Sequence, residues 1–143
     1  MRTLLGLFIL SFASIFSSCG DGVSQEIPEV YVDLTIDVNN PEYGNLKQIK
    51  GFTMIEGVGV KGIIIFHNEV NQYFAYDMNC SYQPNGDCAT VVVDSATLMG
   101  YDKCCNSYFS LENGFPFGGP ALRPLKQYTA ILQGPALLRI SNF

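Results

Sequence analysis

Between residues 31 and 38 apolar and polar side chains alternate without a break. Val32, Leu34, Ile36 and Val38 fall on one side, and Asp33, Thr35 and Asp37 on the other. Successive side chains of an extended chain point to opposite faces, so this alternation predicts a half-buried β-strand and excludes a helix over the same residues. Residues 39–45 are turn chemistry, and Gly51, Gly57, Gly59 and Gly62 punctuate short apolar segments that end in Gly62-Ile63-Ile64-Ile65-Phe66. A polar turn from His67 to Gln72 then leads into Tyr73-Phe74-Ala75-Tyr76-Asp77. Further strands are expected over 91–94, 108–111, 125–132 and 136–140, with Glu112-Asn113-Gly114 as a turn between two of them. No window of a dozen residues keeps a clean helical period, and there is no internal repeat. The predicted class is all-β, a small antiparallel sandwich or barrel.

Composition limits what such a fold can serve. At 143 residues, 48% of them apolar and 15% charged, the chain is long enough for one core and too apolar to be disordered. Its net charge of −5 supplies no broad basic surface, so no nucleic-acid partner is expected.

The first residues belong to targeting. Arg2 precedes thirteen uncharged residues from Leu4 to Phe16, which are too few to span a bilayer and have the length of a secretory apolar segment. The run closes in Phe16-Ser17-Ser18-Cys19-Gly20-Asp21, and small residues directly before a cysteine resemble a bacterial lipobox. The resemblance implies cleavage before Cys19 and acylation of that residue, with Phe16 standing where the motif usually has Leu. Acyl chains worth roughly 0.8 kcal/mol per buried methylene would hold the mature protein on a membrane without a spanning helix. The expected organisation is a lipoprotein signal peptide over 1–18, a lipid-anchored tether over 19–28 and a β domain over 29–143. The expected location is a bacterial cell envelope, on the outer membrane or a periplasmic face.

Four cysteines remain for the folded part, in the pattern Cys80-x7-Cys88-x15-Cys104-Cys105, with a single histidine, His67, in the whole chain. The hairpin Gly62–Asp77, then Cys80-Ser81-Tyr82, then Cys104-Cys105-Asn106-Ser107-Tyr108-Phe109, then Gly114, Gly119-Pro120-Ala121 and Pro124-Leu125 resemble the Rieske iron–sulfur domain over about residues 50–140. In that family two loops, Cys-x-His and Cys-x2-His, hold a [2Fe–2S] cluster between two thiolates and two imidazoles. The resemblance puts Cys80 at the first cysteine ligand, Tyr82 at the first histidine, Asp102 at the second cysteine and Cys105 at the second histidine. Both imidazole positions are lost, so a cluster with the usual ligands is not expected. The fold implied is a small Rieske-like β-sandwich with two cysteine-bearing loops.

The four cysteines lack the Cys-x2-Cys knuckles from which zinc and cluster sites commonly present their ligands, and no metal held by all four is expected. Disulfides are the plainer use of cysteine in an oxidising compartment. A Cys104–Cys105 bridge is disfavoured by the planar peptide between them, which leaves two pairings open. Some Rieske proteins tie the two ligand loops with a disulfide. By that resemblance Cys88 pairs with Cys104, and Cys80 then faces Cys105 and is expected to form a second bridge.

No other residue group carries a reaction. His67 reads as a solvated turn residue without a nucleophile at a working spacing. Asp77, Asp87, Asp94 and Asp102 read as strand ends and side-chain-capped turns, and Gly118-Gly119-Pro120 as a backbone requirement. Tyr73, Tyr76, Tyr82, Tyr101 and Tyr108 with Phe109, Phe115 and Phe117 read mostly as core and loop cover, an exposed subset being a candidate contact surface. The favoured function is a non-enzymatic structural or interaction module without a cofactor, bound to a membrane by its lipid and to an envelope protein partner. The alternatives are an electron carrier with a [2Fe–2S] cluster on non-standard ligands, and a thiol–disulfide protein using Cys104 and Cys105.

Overall fold

The computed structural model describes residues 26–143, so the segment read as a signal peptide, Cys19 and most of the segment read as a tether lie outside the described residues. The regular structure of the described residues consists almost entirely of antiparallel strands. These are β1 (Asp33–Asp37), β2 (Phe52–Ile55), β3 (Ile63–Glu69), β4 (Gln72–Asp77), β5 (Val91–Asp94), β6 (Met99–Asp102), β7 (Ser107–Ser110), β8 (Pro116–Gly118), β9 (Gln127–Gln133) and β10 (Leu137–Ser141). A short 3₁₀ helix, Pro41–Lys47, occupies the segment read as a turn, opened by Asn40, whose side chain accepts the Glu42 N–H. Among the described residues no helix is long and apolar enough to cross a membrane.

Six strands form one sheet in the order β1-β10-β9-β4-β3-β2, and β5-β6-β7-β8 form a second sheet inserted in sequence between β4 and β9. The period-two rule explains how the larger sheet serves two cores. On β3, Ile63 and Ile65 join Tyr73 and Ala75 of β4 in a cluster with Val32, Ile36, Leu46, Tyr128, Leu138 and Ile140, which the sheet curls around. Ile64, Phe66 and Tyr76 point to the opposite face and pack with Val91, Val93, Phe109 and Leu111 of the inserted sheet and its flanks. Both faces of β3 are therefore apolar, which is why Ile63-Ile64-Ile65-Phe66 shows no alternation in the sequence. β1, with only one face covered, does.

The strands depart from the sequence expectations in two ways. The turn placed at His67 begins three residues later, at Val70. The His67 N–H donates to the Gly51 carbonyl at 2.9 Å and its carbonyl accepts the Lys50 N–H at 2.6 Å, which extends β3 to Glu69. His67 is accordingly buried, at 7% exposure, and stacks on Tyr73 with ring centroids 4.4 Å apart. Its partner Tyr73 belongs to the first cluster, so the imidazole lies on the face of β3 that turns away from the inserted sheet. The second departure is β6 and β8, which are short and weakly apolar, and which the sequence pattern leaves unassigned.

Candidate functional site

The two cysteine loops lie at one end of the inserted sheet. The first leaves β4 at Asp77 and is pinched shut at its base by the Asn79–Thr90 bridge and by the Cys80 N–H, which donates to the Ala89 carbonyl at 3.1 Å. The second is the four-residue connection 103–106 between β6 and β7, whose ends Asp102 and Ser107 are paired across the ladder. Asn106 takes a positive φ of 57° to close it. A third segment, residues 119–124, covers the pair. There the Ala121 N–H donates to Ser107 Oγ at 3.1 Å, Ser81 Oγ donates to the Arg123 carbonyl at 2.6 Å, and Arg123 Nη2 donates to the Ser81 carbonyl at 3.1 Å.

Gly119 is where this cover touches the second loop. It sits at φ +82°, and a Cβ there would stand 2.3 Å from the Asn106 carbonyl oxygen and 2.5 Å from Ser107 Cα. Only glycine fits both the backbone angle and the approach.

Cys88 and Cys104 are joined by a disulfide that ties one loop to the other. Cys80 and Cys105 are not joined, which corrects the expectation of a second bridge. Their sulfurs stand 3.5 Å apart as free thiols in hydrogen-bond contact, against about 2.05 Å for a disulfide. Cys105 Sγ is also 3.2 Å from Asp102 Oδ2 and 3.1 Å from Ser107 Oγ, polar partners at the loop base. Cys80 is fully buried, and burial, reinforced by hydrogen bonds to Asp102 and Cys105, pushes its thiol pKa far above the usual range.

Asp102 is the residue at the centre. It ends β6, is 1% exposed, and accepts the Cys104 N–H at 2.7 Å with one oxygen while the other faces the Cys105 thiol. Asp77 and Asp94 make the same side-chain contact to the N–H two residues on, as the strand-end reading expects. Asp77 does more: its buried carboxylate also accepts from the Val60 N–H, the Lys61 N–H and the Tyr128 hydroxyl. It fixes the base from which the first loop departs. Ser107, given no role by the sequence, links Cys105 to the covering segment; its place in Cys-Asn-Ser-Tyr directly after the cysteine pair is the signal that pointed to it.

Three of the four candidate cluster positions meet. One ligand atom each from Cys80, Asp102 and Cys105 lies within 4.8 Å of the others. Tyr82, at the remaining position, is 40% exposed. A Rieske cluster requires four protein ligands, two of them imidazoles. The donor set here is two thiols and one carboxylate, and the only histidine is packed against Tyr73 on the far face of β3. These residues do not fit that cluster. Around the loops, Tyr108 stacks on Tyr101 at 4.7 Å and leans on Phe117 at 6.2 Å, leaving an aromatic surface in which Tyr108 and Phe117 are exposed.

No protein-family model matches the chain, and no curated protein matches it. Among solved structures, the ferredoxin of carbazole 1,9a-dioxygenase from Nocardioides aromaticivorans IC177 is similar with a TM-score of 0.44 and 16% identity, over 64% of this chain and 86% of that one. A protein from Mycobacterium tuberculosis, described as an NADH-dependent nitrite reductase small subunit, is similar with a TM-score of 0.47 and 11% identity, over 80% of this chain and 98% of that one.

Proposed function

We propose that this chain is a lipid-anchored protein of a bacterial cell envelope whose Rieske-like domain has given up the two-iron cluster and works as a non-enzymatic structural or interaction module. One observation carries the reading: the loops that correspond to the cluster loops bring together two thiols and a carboxylate, with no imidazole on their side of the sheet. Electron transfer through a Rieske centre depends on the histidine-ligated iron, and this donor set has nothing to replace it. The disulfide between Cys88 and Cys104 ties the two loops covalently, and this tie alone would hold them in place where no cluster does. Exposed Tyr82, Tyr108 and Phe117 beside those loops supply the kind of aromatic surface that protein contacts use.

The lipid anchor rests on the motif ending at Cys19. Two assays on the protein expressed in a bacterial envelope test the proposal. Labelled palmitate should be incorporated into the wild-type chain and not into Cys19→Ser. Protein purified without oxygen should contain neither acid-labile sulfide nor stoichiometric iron. Two irons with two sulfides per chain would overturn the module reading in favour of an electron carrier on non-standard ligands.

A further inference from the structure

We propose that Cys80, Cys105 and Asp102 form a mononuclear zinc site. The three donors come from two different loops, and their separations already approach the edges of a coordination tetrahedron. With Zn–S near 2.3 Å and Zn–O near 2.1 Å, a tetrahedral ion sets its sulfurs about 3.8 Å apart and a sulfur and an oxygen about 3.6 Å apart. The observed distances are 3.5 Å between the sulfurs and 3.2 Å between Cys105 Sγ and Asp102 Oδ2, and all three ligand atoms lie within 4.8 Å of one another. An opening of a few tenths of an ångström along those two edges would admit the ion. Water completes the fourth corner on the side of Cys105, the least buried of the three.

The positions are held by backbone and not by the ion. The Cys104 N–H fixes Asp102, the Ala89 carbonyl holds the Cys80 N–H, and the Cys88–Cys104 disulfide ties the two loops. Charge argues for a cation over a second disulfide. Oxidising Cys80 with Cys105 would remove the thiol that faces Asp102 Oδ2 and leave that oxygen of a 1%-exposed carboxylate without it. A divalent ion instead pairs the carboxylate directly. Two thiolates favour a soft, borderline metal over magnesium or calcium, and zinc takes this mixed set without a redox change. Binding exchanges two thiol protons for one Zn²⁺: both S–H bonds break, the two protons pass to the buffer, and the hydrated ion sheds all but one of its waters as it takes up three protein ligands.

The experiment uses full-length protein in detergent, reduced enough to keep Cys80 and Cys105 as thiols, stripped with a chelator and handled without oxygen. Cobalt(II) is the probe. We expect a thiolate-to-cobalt charge-transfer band that saturates at one ion per chain, is displaced by Zn²⁺, and is accompanied by release of about two protons per zinc. The band should be lost in Cys80→Ser and Cys105→Ser, and Asp102→Asn should weaken zinc binding at least tenfold. Stoichiometry and proton release on the wild type keep the test decisive where a variant fails to fold. Absence of the band in reduced wild-type protein, or its full retention in both serine variants, overturns the site. A chain that binds no ion and contains no iron or sulfide overturns the zinc site while the cluster-free module stands; two irons and two sulfides per chain overturn both.

Discussion

Removing the Cys88–Cys104 disulfide gives a direct measure of how the cysteine loops are held. Both cysteines are exposed, so Cys88→Ser/Cys104→Ser leaves no cavity and buries no new polar group. The cost arises in the unfolded chain. The bridge closes a loop with a sequence separation of 16, for which the chain-entropy relation gives about 10 cal/mol/K, or about 3 kcal/mol at 25 °C. With a urea m-value of about 2 kcal/mol/M, the midpoint of unfolding should fall by about 1.5 M. An unfolding entropy of about 2.1 cal/mol/K per residue over roughly 115 residues converts the same loss to about 12 °C in Tm. Urea titration followed by far-ultraviolet circular dichroism reads the first quantity and calorimetry the second. A loss below about 1 kcal/mol would refute the reasoning, because it would mean that the loops are equally confined in the unfolded state or are held in the folded state by contacts that make the bridge redundant.

Gly119→Ala should destabilise the domain by about 1–3 kcal/mol through its positive φ, with more from the contact against Asn106, and should expose Cys105 to alkylation; unchanged Tm and labelling rate would contradict the role given to Gly119. His67→Phe should leave stability unchanged or raise it by about 1 kcal/mol, since neither imidazole nitrogen has a hydrogen-bond partner among the described residues and Phe keeps the stack on Tyr73; a loss above about 1 kcal/mol would reveal a polar role. The buried Cys80 thiol carries a raised pKa in the folded protein and an ordinary one, near 8.5, when unfolded. The stability this difference provides is therefore complete below about pH 8.5 and declines as pH rises beyond it, by up to about 1.4 kcal/mol per pH unit. The decline should be missing in Cys80→Ala, and urea midpoints from pH 7 to 10 check both chains.

Local pattern carried the parts of the fold where one face is dry and the other wet. β1 is legible because Val32, Ile36 and Val38 are buried between exposed Asp33 and Asp37. β3 was legible as a strand but not in extent, because both its faces are covered and the usual end signal, a polar residue, is instead the buried His67. No local rule distinguishes a histidine stacked on a cross-strand tyrosine from one in a turn; the Gly51 and Lys50 backbone groups that extend the strand are sixteen or more residues away in sequence. β6 escaped notice because Met99-Gly100-Tyr101-Asp102 has no alternation strong enough to mark it, yet it delivers Asp102 to the site.

The candidate site was legible in its membership more than in its chemistry. Cys80, Asp102 and Cys105 were placed together by the resemblance of their loops, and they do meet. What the sequence could not supply was the balance of forces among them. The contacts of Cys105 to the Asp102 carboxylate and the Ser107 hydroxyl appear only once β6 and β7 pair.

The central proposal is that the two cysteine loops hold no two-iron cluster, and electron paramagnetic resonance on dithionite-reduced protein purified without oxygen tests it most directly. The spectrum is predicted to show no reduced [2Fe–2S] signal; a signal integrating to a substantial fraction of the protein would contradict the account.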